Sequence, residues 1–480
     1  MAASLFFYDL ETTGVNPRDG RIMQFAGQRT DMFLKPVGPP VNQLIKLTDE
    51  ILPQPDAIMI TGITPQKTLA EGVTEAEFLK LFWAEVASPG TIFVGFNSVR
   101  FDDEFMRFTM YRNFHDAYEW QWRDKRSRWD LLDAVRMTRA LRPEGIKWPV
   151  DSEGKATNRL ELLTSLNNLE HADAHDALSD VMATIALARL IRNKQTKLFD
   201  YLLTMRDKRL VAKLVNTNQP FVYTSGKYPA EYEKTTVVAK VADHPEQSGA
   251  ALVYDLRHDP ADYVDKTADQ LAELWRYKKD NTAQRLPVKT MRFNRCPAIA
   301  PLGVLDEASQ ERLQIDLKKI DQHHHQLKKA GSAFGQKLQQ AVEILNQEQQ
   351  TRLLSSPQDV DGQLYDGFPG DGDKVTMRAV VAAEPADLSQ FTDNLQDQRL
   401  KSLLPLYKAR NFPDQLSTEE RGAWEAFRID RLTTGGKSSR LQLYMNRLAE
   451  LAESKSLTTN KRYLLEELQL YAESILPSAD

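Results

Sequence analysis

The chain is nearly without cysteine: Cys296 is the only one in 480 residues. That excludes an internal disulfide framework and any cysteine-rich zinc site, and it suits a reducing cytoplasm. Long apolar runs are missing too. None approaches the ~18 residues that span a bilayer, so no membrane attachment is expected. The stretch from Met1 to Tyr8 has no basic region and meets Asp9 and Glu11 at once, so it does not read as a signal peptide. Nor does one sign of charge dominate. There are 62 basic and 67 acidic residues, a net charge of −5, which argues against a generic nucleic-acid coat. No internal repeat is visible.

What is present is an ordinary globular balance, 41% hydrophobic and 27% charged. The length predicts about three domains, placed at 1–195, 196–350 and 351–480. Only the middle one leans basic, with 23 basic against 20 acidic residues (+3), while the flanking segments are each at −4. Local potential governs nucleic-acid contact more than the total does.

The first segment mixes strand and helix signals. Leu5–Tyr8 is a short apolar run ended by acids and Gly14, which reads as a buried strand, and 91–96 is a second. Asp176 to Lys194 has helical apolar spacing and basic last turns. This alternation predicts an α/β layer. The middle segment has short β-rich runs at 221–224, 235–241 and 251–254, as in a small barrel, then helical patterns at 307–350. Residues 366–373 form the clearest breaker cluster, and the sequence reads as helical from there on.

Three acidic signals lie in the first segment. Asp9-Leu10-Glu11 at a strand end projects two carboxylates from one face, with Leu10 turned inward. Alone it is an ordinary solvated loop. Asn97 to Glu104 follows the second buried strand, and Asp102, Asp103 and Glu104 alone read as acids at a helix start. His175-Asp176-Ala177-Leu178-Ser179-Asp180 opens the long helix. Asp176 suits a helix start, while Asp180 suits a metal with His175 addressing a water beside it. Together, four carboxylates and one histidine are the parts of a phosphodiester hydrolase that works with two cations. Oxygen-only ligands suit Mg²⁺, with Mn²⁺ as the substitute.

These motifs resemble those of the DnaQ-like 3′→5′ exonucleases, in the subgroup whose last motif is His-x4-Asp. Further stretches, among them 99–104, 127–133, 141–146, 363–368 and 409–413, resemble one three-domain bacterial branch over nearly the whole chain. The resemblance implies an α/β ribonuclease-H-like exonuclease domain, a small Src-homology-3-like β-barrel domain and an all-α C-terminal domain. These would form a clamp on single-stranded DNA that gives processive release of 5′-mononucleotides in repair and recombination. It implies that Asp9 bridges two Mg²⁺ ions, that Glu11 and Asp180 complete one site, that Asp102 supports the second, and that His175 is the general base. Asp102, directly after Phe101, is taken over its neighbour Asp103. The resemblance also implies binding of the acidic C-terminal tail of single-stranded-DNA-binding protein, with Arg142 and Tyr201 at matching positions. Gln219 departs from the family's lysine there, and a plain surface arginine explains Arg142 as well. A monomer in the cytoplasm is expected. Rivals are an RNA-trimming exonuclease of the same superfamily and a catalytically silent single-strand-binding scaffold.

His323-His324-His325 fits a solvated helix face better than a metal site. Arg123 to Arg128, between Trp120, Trp122 and Trp129, fits single-strand binding by stacking and charge, although Trp120 and Trp122 suit a core equally. Cys296 reads as a small buried apolar residue.

Overall fold

The computed structural model describes residues 3–169, 176–276, 285–354, 359–454 and 457–476. Contacts divide the chain into two compact units. One joins 1–126, 172–182 and 358–480; the other joins 127–171 and 183–357.

The first unit is built on β1 (Ser4–Thr12), β2 (Ile22–Thr30), β3 (Val41–Leu44) and β4 (Thr91–Gly95), in the order β3-β2-β1-β4. β1 and β2 are antiparallel, with Asp9 opposite Ala26 and Glu11 opposite Gln24. β1 and β4 are parallel, and the crossover that parallel pairing needs is made by helical segments between 55 and 86. The expected first strand ended at the acids. In the structure it runs through them to Thr12, because pairing with β2 continues past Leu10. Phe6, Tyr8 and Leu10 on one face of β1 pack with Phe25, Phe78, Phe82, Phe93 and Trp120. By the two-residue period, Asp9 and Glu11 share the opposite face.

The C-terminal segment is helical, over Asp371–Ala382, Gln398–Asn411, Thr418–Thr433, Arg440–Ala452 and Thr459–Ser474. It shares its core with the sheet: Leu364, Met377, Leu400, Leu403 and Tyr407 join the same apolar cluster as Phe6 and Phe93. Tyr444, Leu448 and Leu468 pack with Met23, Ile58 and Ile63. A buried ion network ties the two together. Arg410 bridges Glu50 and Asp361 at 2.8 Å each, and Arg21 reaches Asp361 at 2.7 Å.

The second unit contains the short β5 (Ser127–Asp130) and an antiparallel sheet of β6 (Phe221–Thr224), β7 (Thr235–Asp243), β8 (Ala250–Asp255), β9 (Val288–Arg292) and β10 (Ala298–Pro301). Its order is β10-β6-β7-β8-β9. The helical pattern expected over 307–350 is found as Glu307–Arg312 and Leu317–Leu354. The longer helix breaks at Gly331, whose φ of 60° suits glycine. The histidine tract lies on it. His323 and His324 are buried and only His325 is exposed, which corrects the solvated-face expectation. His323 Nδ1 meets the Leu256 carbonyl at 2.8 Å, so this histidine docks the helix on the sheet. Cys296 is buried as expected, and its thiol donates to the Arg128 carbonyl.

Candidate active site

Asp9 and Glu11 stand on one face of β1 near its C-terminal end. Beyond β4 the chain turns sharply at Asn97, in the left-handed region at φ 71°, a conformation asparagine tolerates better than most residues. One short turn later the helix Asp102–Arg112 begins, with Asp102 buried in its first turn. Asp180 is the fourth residue of the helix Ala177–Lys194. Oxygen atoms of Asp9, Glu11 and Asp180 lie within 4.8 Å of one another. Two motifs far apart in sequence therefore converge, and Asp102, from the third, acts on both Asp9 and Glu11 by its charge.

Their electrostatics follow from burial and like charge. Asp9 is raised well above the usual carboxylate range, first by burial, then by Asp102, Glu11, Asp180 and Asp176. Glu11 is pushed up to about 8, first by burial, then by Asp180, Asp102 and Asp176. A cation held between these carboxylates would favour their ionised forms. The donor set is all oxygen and acidic, which fits a hard divalent ion such as Mg²⁺ or Mn²⁺.

The neighbouring acids divide cleanly. Asp103 is buried and accepts a hydrogen bond from the Tyr8 hydroxyl, whereas Asp102 is the largest charged influence on Asp9. Glu104 pairs with Arg107 at 2.7 Å. Asp176 is a helix start as read, accepting the Ser179 N–H at 3.1 Å. It is also a fifth carboxylate acting on Asp9 and Glu11, a role the sequence reading missed because a helix-start acid explained the residue fully. His175 lies outside the described residues.

The remaining candidates are placed elsewhere. Arg142 ends the helix Leu131–Leu141; its guanidinium meets Asp306 at 3.1 Å and the Val304 carbonyl at 2.9 Å. Tyr201 sits on the helix Thr196–Thr204, half-buried, and Gln219 is exposed. In the basic–aromatic stretch, Trp120 and Trp129 are core residues while Trp122 is 63% exposed. Arg126 lies over Trp83 and Arg128 holds the Asn294 carbonyl. Gly90 donates to the Asp124 carbonyl, next to Thr91, whose partner on β1 is Ser4. Five residues of strand, ~17 Å, separate Ser4 from Asp9. Of the three tryptophans only Trp122 is free to stack on a base, and this stretch borders the sheet end away from the carboxylates.

Comparison with known proteins gives the same order of parts. A model described as "Exonuclease" matches residues 6–188, the exonuclease I SH3-like domain matches 206–343, and the exonuclease I C-terminal domain matches 358–475. The fold is therefore an N-terminal α/β exonuclease domain, an SH3-like domain and a mostly helical C-terminal domain. Exodeoxyribonuclease I of Haemophilus influenzae is 38% identical over 98% of this chain and 99% of its own length. That of Escherichia coli is also 38% identical, over 99% and 98%. Among solved structures, exonuclease I from Methylocaldum szegediense matches at 41% identity and a TM-score of 0.92, covering 99% of this chain and 100% of its own. E. coli exonuclease I in complex with a dA16 oligonucleotide matches at 37% and 0.91, with the same coverage. Among the described residues no helix is long and apolar enough to cross a membrane. A nuclease fold with converging carboxylates, matched end to end by relatives of one kind, leads to one conclusion: the chain belongs to the exodeoxyribonuclease I family.

Proposed function

We propose that this protein is a processive 3′→5′ exonuclease that degrades single-stranded DNA to 5′-mononucleotides with two Mg²⁺ ions, in the cytoplasm, as a monomer, during repair and recombination. The observation that carries the reading is the cluster of Asp9, Glu11 and Asp180 within 4.8 Å, backed by Asp102, in a chain of this family. Asp9 would bridge the two ions, Glu11 and Asp180 would complete one site and Asp102 would support the other. Bound there, divalent cations supply charge against the attacking and leaving oxygens. His175 takes the proton of the attacking water, as suits a side chain that titrates near neutrality.

Supporting the substrate, the E. coli relative has been crystallised with single-stranded oligonucleotides, and a zinc-bound form of its DNA complex exists. Supporting the partner, a structure pairs single-stranded-DNA-binding protein with exonuclease I and an inhibitor. Arg142 and Tyr201 are our candidates for that docking. The deciding experiment digests end-labelled single-stranded DNA and RNA of equal sequence, with Mg²⁺ and with chelator. We expect DNA to be shortened from its 3′ end only with metal. Equal or faster loss of RNA would favour an RNA-trimming enzyme, and no loss of either would favour a silent binding scaffold.

A further inference from the structure

Gln24 stands directly across the strand pair from Glu11 and is only 4% exposed. Its carboxamide is fully engaged. Nε2 donates to Asp176 Oδ2 at 3.2 Å and to Asn42 Oδ1 at 2.9 Å, and Oε1 accepts the Ala177 N–H at 3.4 Å. Ala177 is the first residue of the helix that carries Asp180, and Asp176 precedes it. Asp176 in turn accepts the Ser179 N–H through Oδ1 and the Asp180 N–H through its carbonyl, at 3.1 and 3.0 Å. One side chain thus joins the cross-strand neighbour of Glu11 to the turn that presents Asp180.

We propose that Gln24 is a positioning residue of the active site: it pins the start of the Asp180 helix to β2 and so sets the spacing of Asp9, Glu11 and Asp180. This rests on the reading of those three as metal ligands. The chemistry explains the residue type. The position needs a donor toward a carboxylate and an acceptor toward a backbone amide, and an amide offers both. Lysine or arginine would also hold Asp176, but would bring a fixed cation to the carboxylates and compete with the metal. An ionised glutamate cannot donate and would face Asp176 as a like charge.

The test is a reciprocal exchange in the full-length protein. Gln24→Glu sets two carboxylates against each other. Adding Asp176→Asn exchanges donor and acceptor while the total charge of the pair stays as in the parent protein. The readouts are the Mg²⁺ concentration for half-maximal hydrolysis of single-stranded DNA, the rate at saturating Mg²⁺, and Mn²⁺ binding without DNA. Residues that orient metal ligands typically contribute ~10–100-fold to metal affinity. Gln24→Glu alone should therefore raise the half-saturating Mg²⁺ by about tenfold or more. An added negative charge by itself would lower it, so the direction separates position from charge. The double variant should recover most of that loss. A double variant no better than Gln24→Glu, or a Gln24→Glu protein with unchanged or lower metal demand, overturns the inference. If Gln24→Glu does not fold, Gln24→Met, neutral and of similar length, carries the same expectation, and an unchanged metal requirement refutes it. A parent protein that neither binds Mn²⁺ nor cleaves DNA would instead sink the active-site reading and this inference with it.

Discussion

Glu11 holds its proton up to about 8 when no cation is bound, while an ordinary glutamate releases it near 4.5. A raised folded-state value favours the fold most below 4.5, and that advantage is lost as pH rises to 8. Thermal melts in chelator should therefore show stability falling across this window, and Mg²⁺ should flatten the slope. The same repulsion predicts that Asp9→Asn or Asp180→Asn abolishes hydrolysis, leaves DNA binding largely intact, and raises the melting temperature in chelator. Near-normal nuclease activity in either variant would refute the assignment. His175→Ala should lower turnover by ~10²–10⁴-fold with little change in metal affinity; full recovery at high metal would make it a ligand. Much of this site was legible. Asp9 and Glu11 share a face by the two-residue period of a strand, and Asp180 lies on a helix whose periodicity is plain. Gln24 was not legible, because its role depends on β1–β2 register and on a helix that starts 153 residues away.

At the scale of elements, β1, β4 and the Ala177–Lys194 helix announce themselves by apolar runs or helical spacing. β2 does not. Gln24, Gly27, Gln28 and Arg29 interrupt its pattern, and its polar side chains are satisfied by partners that sequence cannot show, such as Arg29 Nη1 on the Ser4 and Thr91 hydroxyls. Gly27 lies under the Phe6 ring, and a Cβ there would come within 2.2 Å of it. Gly27→Ala should therefore destabilise the protein by ~1–3 kcal/mol, read as a lowered melting temperature. The ion network at Glu50 and Asp361 gives the opposite pH response to Glu11. Burial alone would raise both carboxyls, but Arg410, then Arg21 and Arg431, reverse this and hold both below the ordinary value, Asp361 well below. Their contribution is complete above the unfolded-state range near 4 and is lost as pH falls through the folded-state values. Acid unfolding should be steep there, and Asp361→Asn, which leaves buried guanidiniums short of a counter-charge, should cost ~3–5 kcal/mol.

For the whole molecule, the order of domains was legible in motifs and composition, but the sharing of one core was not. Leu364, Met377 and Leu403 complete the apolar cluster around β1, and Asp361 and Arg410 complete the buried ion network with Arg21 and Glu50. Distant sequence partners of this kind leave no periodic trace. A fragment ending near 195 would expose that core and strand those charges, so the division of labour between chemistry and grip is best tested in the intact chain. All five proposed catalytic residues lie within the first 180, while the basic bias lies in 196–350. If that middle segment holds the phosphate backbone by charge, each neutralised phosphate of a single strand adds about −0.7 to the slope of log affinity against log salt. Grip should then fall steeply with ionic strength, while cutting of oligonucleotides too short to reach the middle segment should change little. A trap experiment separates the two: excess unlabelled single strand is added after binding, and product lengths are read over a salt series. Runs before release should shorten as salt rises, with a slope steeper than −2 if about three phosphates are held, before activity on short substrates declines. Run lengths that do not change with salt would mean that stacking or enclosure, not charge, holds the strand, and that the positive balance of 196–350 serves another purpose.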